Sequence, residues 1–168
     1  MNNKNNNAKG HLAGGAGSRD VAGDQGVSPS LRFLFSLAKA KTVVSRRFDN
    51  RLSFNGLSFN DFIILYQLRY APDEKMRRSE LAERVGLTAS GVTRMLLPME
   101  KIGLIKRETD EHDGRVSYVA LAPGGKRLYD DALERAELLT EDILPASRTG
   151  KLDEMNDLLV ELGKIVVY

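Results

Sequence analysis

The chain has 168 residues, 42% of them hydrophobic, enough for one domain with a real core, and its formal net charge of +2 says little by itself about partners. Cysteine is absent, which excludes disulfides, thiolate-ligated metal and cysteine redox sensing, and metal sensing is poorly supported because the two histidines, His11 and His112, fall in the expected tail and at the expected wing tip. No apolar run reaches the length of a membrane span and no basic-then-apolar leader precedes the domain, so a soluble, cytoplasmic protein is expected.

Residues 1–28 are rich in Asn, Gly and Ala and poor in large apolar groups, so they are expected to form a disordered tail ahead of a single domain over residues 29–168. From about Ser30 to Leu52, the positions of Leu31, Leu34, Phe35, Leu37, Ala38, Val44 and Phe48 predict a long amphipathic helix. Ser58 and Asp61 have the spacing of a capping box and open a second helix carrying Phe62, Ile63, Leu65 and Leu68. Ser79 is expected to cap a third, short helix with Leu81, Ala82 and Val85 on one side and Gly86 at its end. Thr88 then caps a fourth. Its Val92, Met95, Leu96, Met99 and Ile102 form a stripe to dock on the third helix, leaving Ser90, Thr93, Arg94 and Lys101 on the opposite face.

Two helices joined by so short a glycine turn meet at a sharp angle. The opening of the second of them, Thr88, Ala89, Ser90, Gly91, Thr93 and Arg94, is small or hydrogen-bonding and lacks acids. Such a helix start suits entry into a phosphate-lined groove, because small residues allow close backbone approach while the helix N-terminus and one long Arg supply positive potential and donors. After Gly103, the runs Leu104 to Glu108 and Val116 to Leu121 are largely apolar or β-branched, and Asp113-Gly114 between them marks a hairpin turn. Arg115 at its tip would meet a minor groove or a phosphate row, with Asp113 orienting the guanidinium.

The stretch SELAERVGLTASGVTRMLLPMEKIGLIKRETDEHDGRVSYVAL resembles the winged helix-turn-helix core of the MarR family of bacterial transcription regulators. The resemblance covers roughly Leu57 to Ala132, and LAERVGLT, the VTR of the fourth helix, MEKIGLIKR and the wing DGR carry it in combination. It implies a mainly α fold with a small β-hairpin (α+β), a recognition helix starting at Thr88, and a wing-tip pair formed by Asp113 and Arg115. There are departures. Pro98 lies inside the recognition helix, where it removes a backbone hydrogen bond and should bend the helix; Leu97 is apolar on a face expected to be exposed, to be covered by a neighbouring element; and Ala122 stands where Ser or Thr usually precedes Pro123, leaving the next helix without a side-chain cap.

Beyond the hairpin, Leu128, Ala132, Leu139 and Ile143 mark one helix, Pro145 and Gly150 a break, and Leu152, Met155, Leu158, Leu159, Leu162, Ile165 and Val166 another. The core is thus expected over about 57–122, and the long helices over about 30–52 and 123–168 carry more apolar stripe than so small a core can cover, so they either fold back as a monomeric bundle or pair between two chains; the resemblance implies pairing and makes them dimerisation helices. Charge is uneven along the chain: Lys75 to Arg107 holds eight Lys and Arg against three acids, whereas Pro123 to Tyr168 holds six against ten. Arg77 and Arg78, with Lys106 and Arg107 on the hairpin, are placed to flank the recognition helix and contact phosphates.

The expected function is sequence-specific binding of double-stranded DNA by a homodimer on a pseudopalindromic operator, and the family resemblance adds a small aromatic effector between the dimerisation helices and the winged core. The alternative is a winged-helix module that binds protein and does not read DNA. An enzyme is not expected: the sequence has no glycine-rich phosphate loop, no nucleophile beside a usable His and no metal-ligand cluster, and no cofactor is implied.

Overall fold

Side-chain caps and glycine stops set several of the element boundaries in the computed structural model of the chain, which describes residues 26–109, 116–144 and 150–164. The chain divides into two compact units, Met1–Ser36 and Leu37–Tyr168. The boundary falls inside the first helix, α1 (Pro29–Leu52). In the described part of the first unit, Ser28 Oγ accepts a hydrogen bond from the Leu31 amide, and Leu31, Phe33, Leu34 and Phe35 are exposed. The amphipathic stripe expected along α1 is therefore buried only at its far end, by Phe48 and Leu52.

In the second unit α2 (Phe59–Arg69) begins with the capping box foreseen: Ser58 Oγ accepts from the Asp61 amide at 3.1 Å, and the Asp61 carboxylate accepts from the Ser58 amide at 3.0 Å. Its buried residues are Phe62, Ile64, Leu65 and Leu68. Ile64 thus replaces Ile63 in the expected set, because α2 touches α5 (Pro123–Ile143) as well as α3 (Arg78–Arg84) and the sheet, and a helix packed on more than one side buries a wider arc. A turn over Pro72–Glu74, with Asp73 and Glu74 in the left-handed region, leads into a short strand, β1 (Lys75–Arg77), that periodicity did not disclose.

The start of α3 corrects the sequence reading. β1 runs straight into the helix, Arg77 occupies the N-cap position, and no side chain caps it; Ser79 lies inside the first turn, where its hydroxyl cannot take the cap role. Its end is as expected. Gly86 adopts φ +66°, its amide donates to the Glu83 carbonyl, and the Leu87 amide reaches back to Ala82 at 2.9 Å, a paired closure that needs a left-handed residue at this position.

The next helix, α4 (Ala89–Lys101), opens at Thr88 and buries Val92, Leu96 and Met99. Met95 packs partly against the same core. Ile102, expected in that stripe, is 64% exposed, because the helix ends before it and Gly103 at φ +74° turns the chain away. Leu97 is exposed as well, and among the described residues no element covers it as expected. Pro98 is accommodated within a continuous helix.

Strands β2 (Ile105–Thr109) and β3 (Ser117–Leu121) pair antiparallel, from Ile105 opposite Leu121 to Thr109 opposite Ser117, and β1 joins the other edge of β3. The hairpin tip, residues 110–115, lies outside the described residues, as do residues 145–149 and the expected core positions Ile165 and Val166. Helix α5 starts with Pro123 after an uncapping Ala122, as foreseen. It buries Tyr129, Ala132, Ala136 and Leu139, with Leu128 and Ile143 only partly buried. The last helix, α6 (Leu152–Gly163), buries nothing: Met155, Leu158, Leu159 and Val160 all face solvent. The fold is mainly helical with one small antiparallel sheet, and among the described residues no helix is long and apolar enough to cross a membrane.

Candidate nucleic-acid interface

The N-terminal turn of α4 is built from the Thr88 side chain outward. Thr88 Oγ1 accepts the Gly91 amide at 3.0 Å and lies 3.2 Å from Ser90 Oγ, so one orphan donor of the helix start is satisfied locally. Gly91 keeps this cap uncrowded, since a Cβ there would approach Thr88 Oγ1 to 3.1 Å. Thr93 donates its hydroxyl to the Ala89 carbonyl at 2.7 Å. Thr88, Ala89, Ser90 and Arg94 are exposed, Gly91 and Thr93 half-buried, and no acid stands in the first turn. The free amides and the helix dipole therefore present an uncompensated positive end beside one guanidinium.

Three elements converge beside that end. Arg77 and Arg78, at the junction of β1 and α3, line a cleft of about 220 Å³ together with Ser79, Ala89 at the start of α4, and Val116 and Ser117 at the start of β3. Arg77 is exposed and Arg78 half-buried. Arg77 and Arg78 thus lie beside Ala89 at the start of α4. Val116 and Ser117 are brought to them by the β1–β3 pairing, whose three-residue strand left no sequence signal.

On the other edge of β3 stands Arg107, expected to contact phosphates and half-buried in β2. Its Nε lies 2.9 Å from Glu100 Oε2 in the last turn of α4. Lys106 is also engaged, 2.7 Å from Glu108, whose carboxyl this hydrogen bond holds below the usual carboxylate range, with Lys75 adding to the effect from 3.6 Å. Asp113 and Arg115 lie outside the described residues. Behind the interface, Glu74 accepts from Lys126 at 2.6 Å and from Arg69 at 3.0 Å, and Arg69 reaches Asp130 at 3.5 Å, linking the turn before β1 to α2 and α5. The Lys126 hydrogen bond lowers the Glu74 pKa. Sequence reasoning passed over both Glu74 and Glu100. Only the second left a trace, as an acid at a helix C-terminus where the dipole disfavours it.

The fold is one that known proteins share. Residues 57–117 match the model of the MarR family. The HTH-type transcriptional regulator SarZ of Staphylococcus epidermidis is 29% identical over 104 residues, which cover 62% of this chain and 68% of that protein. Among solved structures, the transcriptional regulator BldR from Sulfolobus solfataricus is 27% identical with a TM-score of 0.70, over 79% of this chain and 95% of its own. The M. tuberculosis transcriptional regulator MOSR, solved in complex with DNA, has the same fold at 21% identity and a TM-score of 0.68, over 78% of this chain and 92% of its own. In its motifs, in residues 57–117 and in its winged helix-turn-helix, the chain is similar to the MarR family of transcription regulators.

Proposed function

We propose that this DNA-binding regulator works as a homodimer that lays the Thr88-led start of α4 from each copy into successive major grooves of a pseudopalindromic operator. The observation that carries the reading is the exposed, acid-free first turn of α4 next to a cleft lined by Arg77 and Arg78. In this reading Thr88, Ala89, Ser90, Gly91 and Thr93 allow close approach, Arg94 reads base edges, Arg77 and Arg78 neutralise phosphates, and the wing-tip pair Asp113 and Arg115 enters the adjacent minor groove. Pairing of two chains is supported by the apolar side chains that α6 leaves in solvent, Met155, Leu158, Leu159 and Val160.

A small aromatic acid acting as effector is the second part of the proposal. An open groove of about 410 Å³ between the end of α1 and α5, lined by Arg47, Asn50, Arg51, Phe54, Leu139 and Asp142, offers guanidinium groups and an aromatic ring for such a ligand. The test of DNA reading is a binding titration on the duplex upstream of the protein's own gene across salt concentrations. Arg94→Ala is expected to cost about 1 to 3 kcal/mol and to relax base preference, whereas Arg115→Ala weakens binding evenly across sequences. Wild-type affinity and salt slope in both variants would contradict the assigned geometry. Binding to a protein in place of any duplex would favour the interaction-module reading.

A further inference from the structure

We propose that Arg107 is a positioning residue for DNA reading, held by Glu100 as a strut between recognition helix and wing; the inference rests on the DNA-binding reading above. Along β2 the side chains alternate. Ile105 is buried, Lys106 exposed and Arg107 half-buried, so Arg107 shares the core-facing side with Ile105 and meets the end of α4. There its Nε lies 2.9 Å from Glu100 Oε2, an ion pair whose geometry makes no hydrogen bond, and both Nε and Nη2 are shielded from solvent. The guanidinium is thus partly withdrawn from bulk water, with 30% of the side chain exposed, and its shielded nitrogens are less open to a phosphate row. Lys106, the next residue, is the more exposed cation of the two.

Glu100 supplies the second line of argument. It sits one residue before the end of α4, where the carbonyl end of the helix repels negative charge, so it is unfavourable there unless a cation compensates it. The same short segment is also the hinge between reading helix and wing. Gly103 turns the chain at φ +74°, its amide donates to the Glu100 carbonyl, and the Leu104 amide donates to Met99, after which β2 begins at Ile105. A charge pair across that turn fixes the angle at which the wing leaves the helix. Both parts must fit neighbouring grooves at once, so this angle governs affinity without any contact from Arg107 to DNA.

The experiment is a double-substitution cycle on the full chain, titrating the upstream duplex at several salt concentrations with thermal unfolding measured in parallel. Glu100→Gln and Arg107→Gln are each expected to weaken binding about three- to tenfold, and the double variant no more than the worse single. The slope of log affinity against log salt stays at the wild-type value, since no phosphate contact is lost. Exchanging the pair, Glu100→Arg with Arg107→Glu, is expected to recover most of the affinity. Glu100→Gln is the decisive variant, because it relieves a helix terminus of an opposed charge, is expected to fold, and removes a negative charge near DNA. A phosphate-contacting Arg107 requires this variant to bind as well as or better than wild type and Arg107→Gln to flatten the salt slope by about one per site; either result overturns the strut, as do losses that simply add. Should wild type itself fail to bind any duplex, the DNA reading falls, while coupling between the two substitutions in the unfolding data still reports whether the pair is formed.

Discussion

Gly125 carries a constraint that its own neighbours in sequence do not announce. It stands in the first turn of α5, where a Cβ would run into the backbone carbonyl of Leu104 and come within 3.0 Å of Leu121 Cδ1. The first obstacle is backbone at the foot of the wing and cannot rotate away. Gly125→Ala is therefore expected to destabilise the fold by about 1 to 3 kcal/mol, read as a lowered midpoint in thermal unfolding; an unchanged midpoint would show that the helix and wing are not packed this closely. Thr88 makes the opposite case. Its cap role was legible because the donor it satisfies, the Gly91 amide, lies three residues away. Thr88→Ala is expected to cost about 1 kcal/mol of stability and Thr88→Ser far less, measured by chemical denaturation. Ser79 shows how the same local logic misfires: a strand arriving from β1 moved the helix start ahead of it, and strand pairing is a long-range event.

Among the elements, the helix-turn-helix and the two five-residue wing strands were readable because each left a local signal: a cap, a glycine stop, and two largely apolar or β-branched runs with Asp113-Gly114 between them. β1 was not, since three residues with one buried side chain, Met76, carry no period, and the strand exists only because β3 offers an edge. The turn that delivers it holds Asp73 and Glu74 at φ +53° and +52°, an unfavourable conformation for residues with side chains. Glu74 is anchored there by Lys126 and Arg69. Since the Lys126 hydrogen bond lowers its folded pKa, the unfolded chain takes up a proton at higher pH than the folded one. The stability from this clasp is thus complete above the unfolded carboxylate value of about 4.3 and is lost as pH falls through the lower folded value. Glu74→Gln is expected to lower the unfolding midpoint at neutral pH by an amount that vanishes in acid. A difference independent of pH would mean that the clasp does not depend on the Glu74 charge.

For the whole molecule, the outer helices pose the question that one chain alone leaves unanswered. α6 buries none of its residues, and Leu31, Phe33, Leu34 and Phe35 of α1 lie in solvent. Apolar surface on this scale is costly to leave wet, and a second copy is the covering proposed here. Replacing Leu158 and Leu159 with Glu is expected to convert a dimer into single chains in sedimentation experiments and to weaken operator binding, because two linked heads become two independent ones. The amphipathic pattern of these helices was legible; what they pack against was not, because periodicity marks an apolar face without naming its partner. The most direct test is the stoichiometry and spacing dependence of binding to the upstream duplex at low salt. Two chains per duplex, with affinity falling steeply when about five base pairs, half a helical turn, are inserted between the half-sites, is the expected result. One chain per duplex, indifferent to that insertion, or no binding at all, would contradict it.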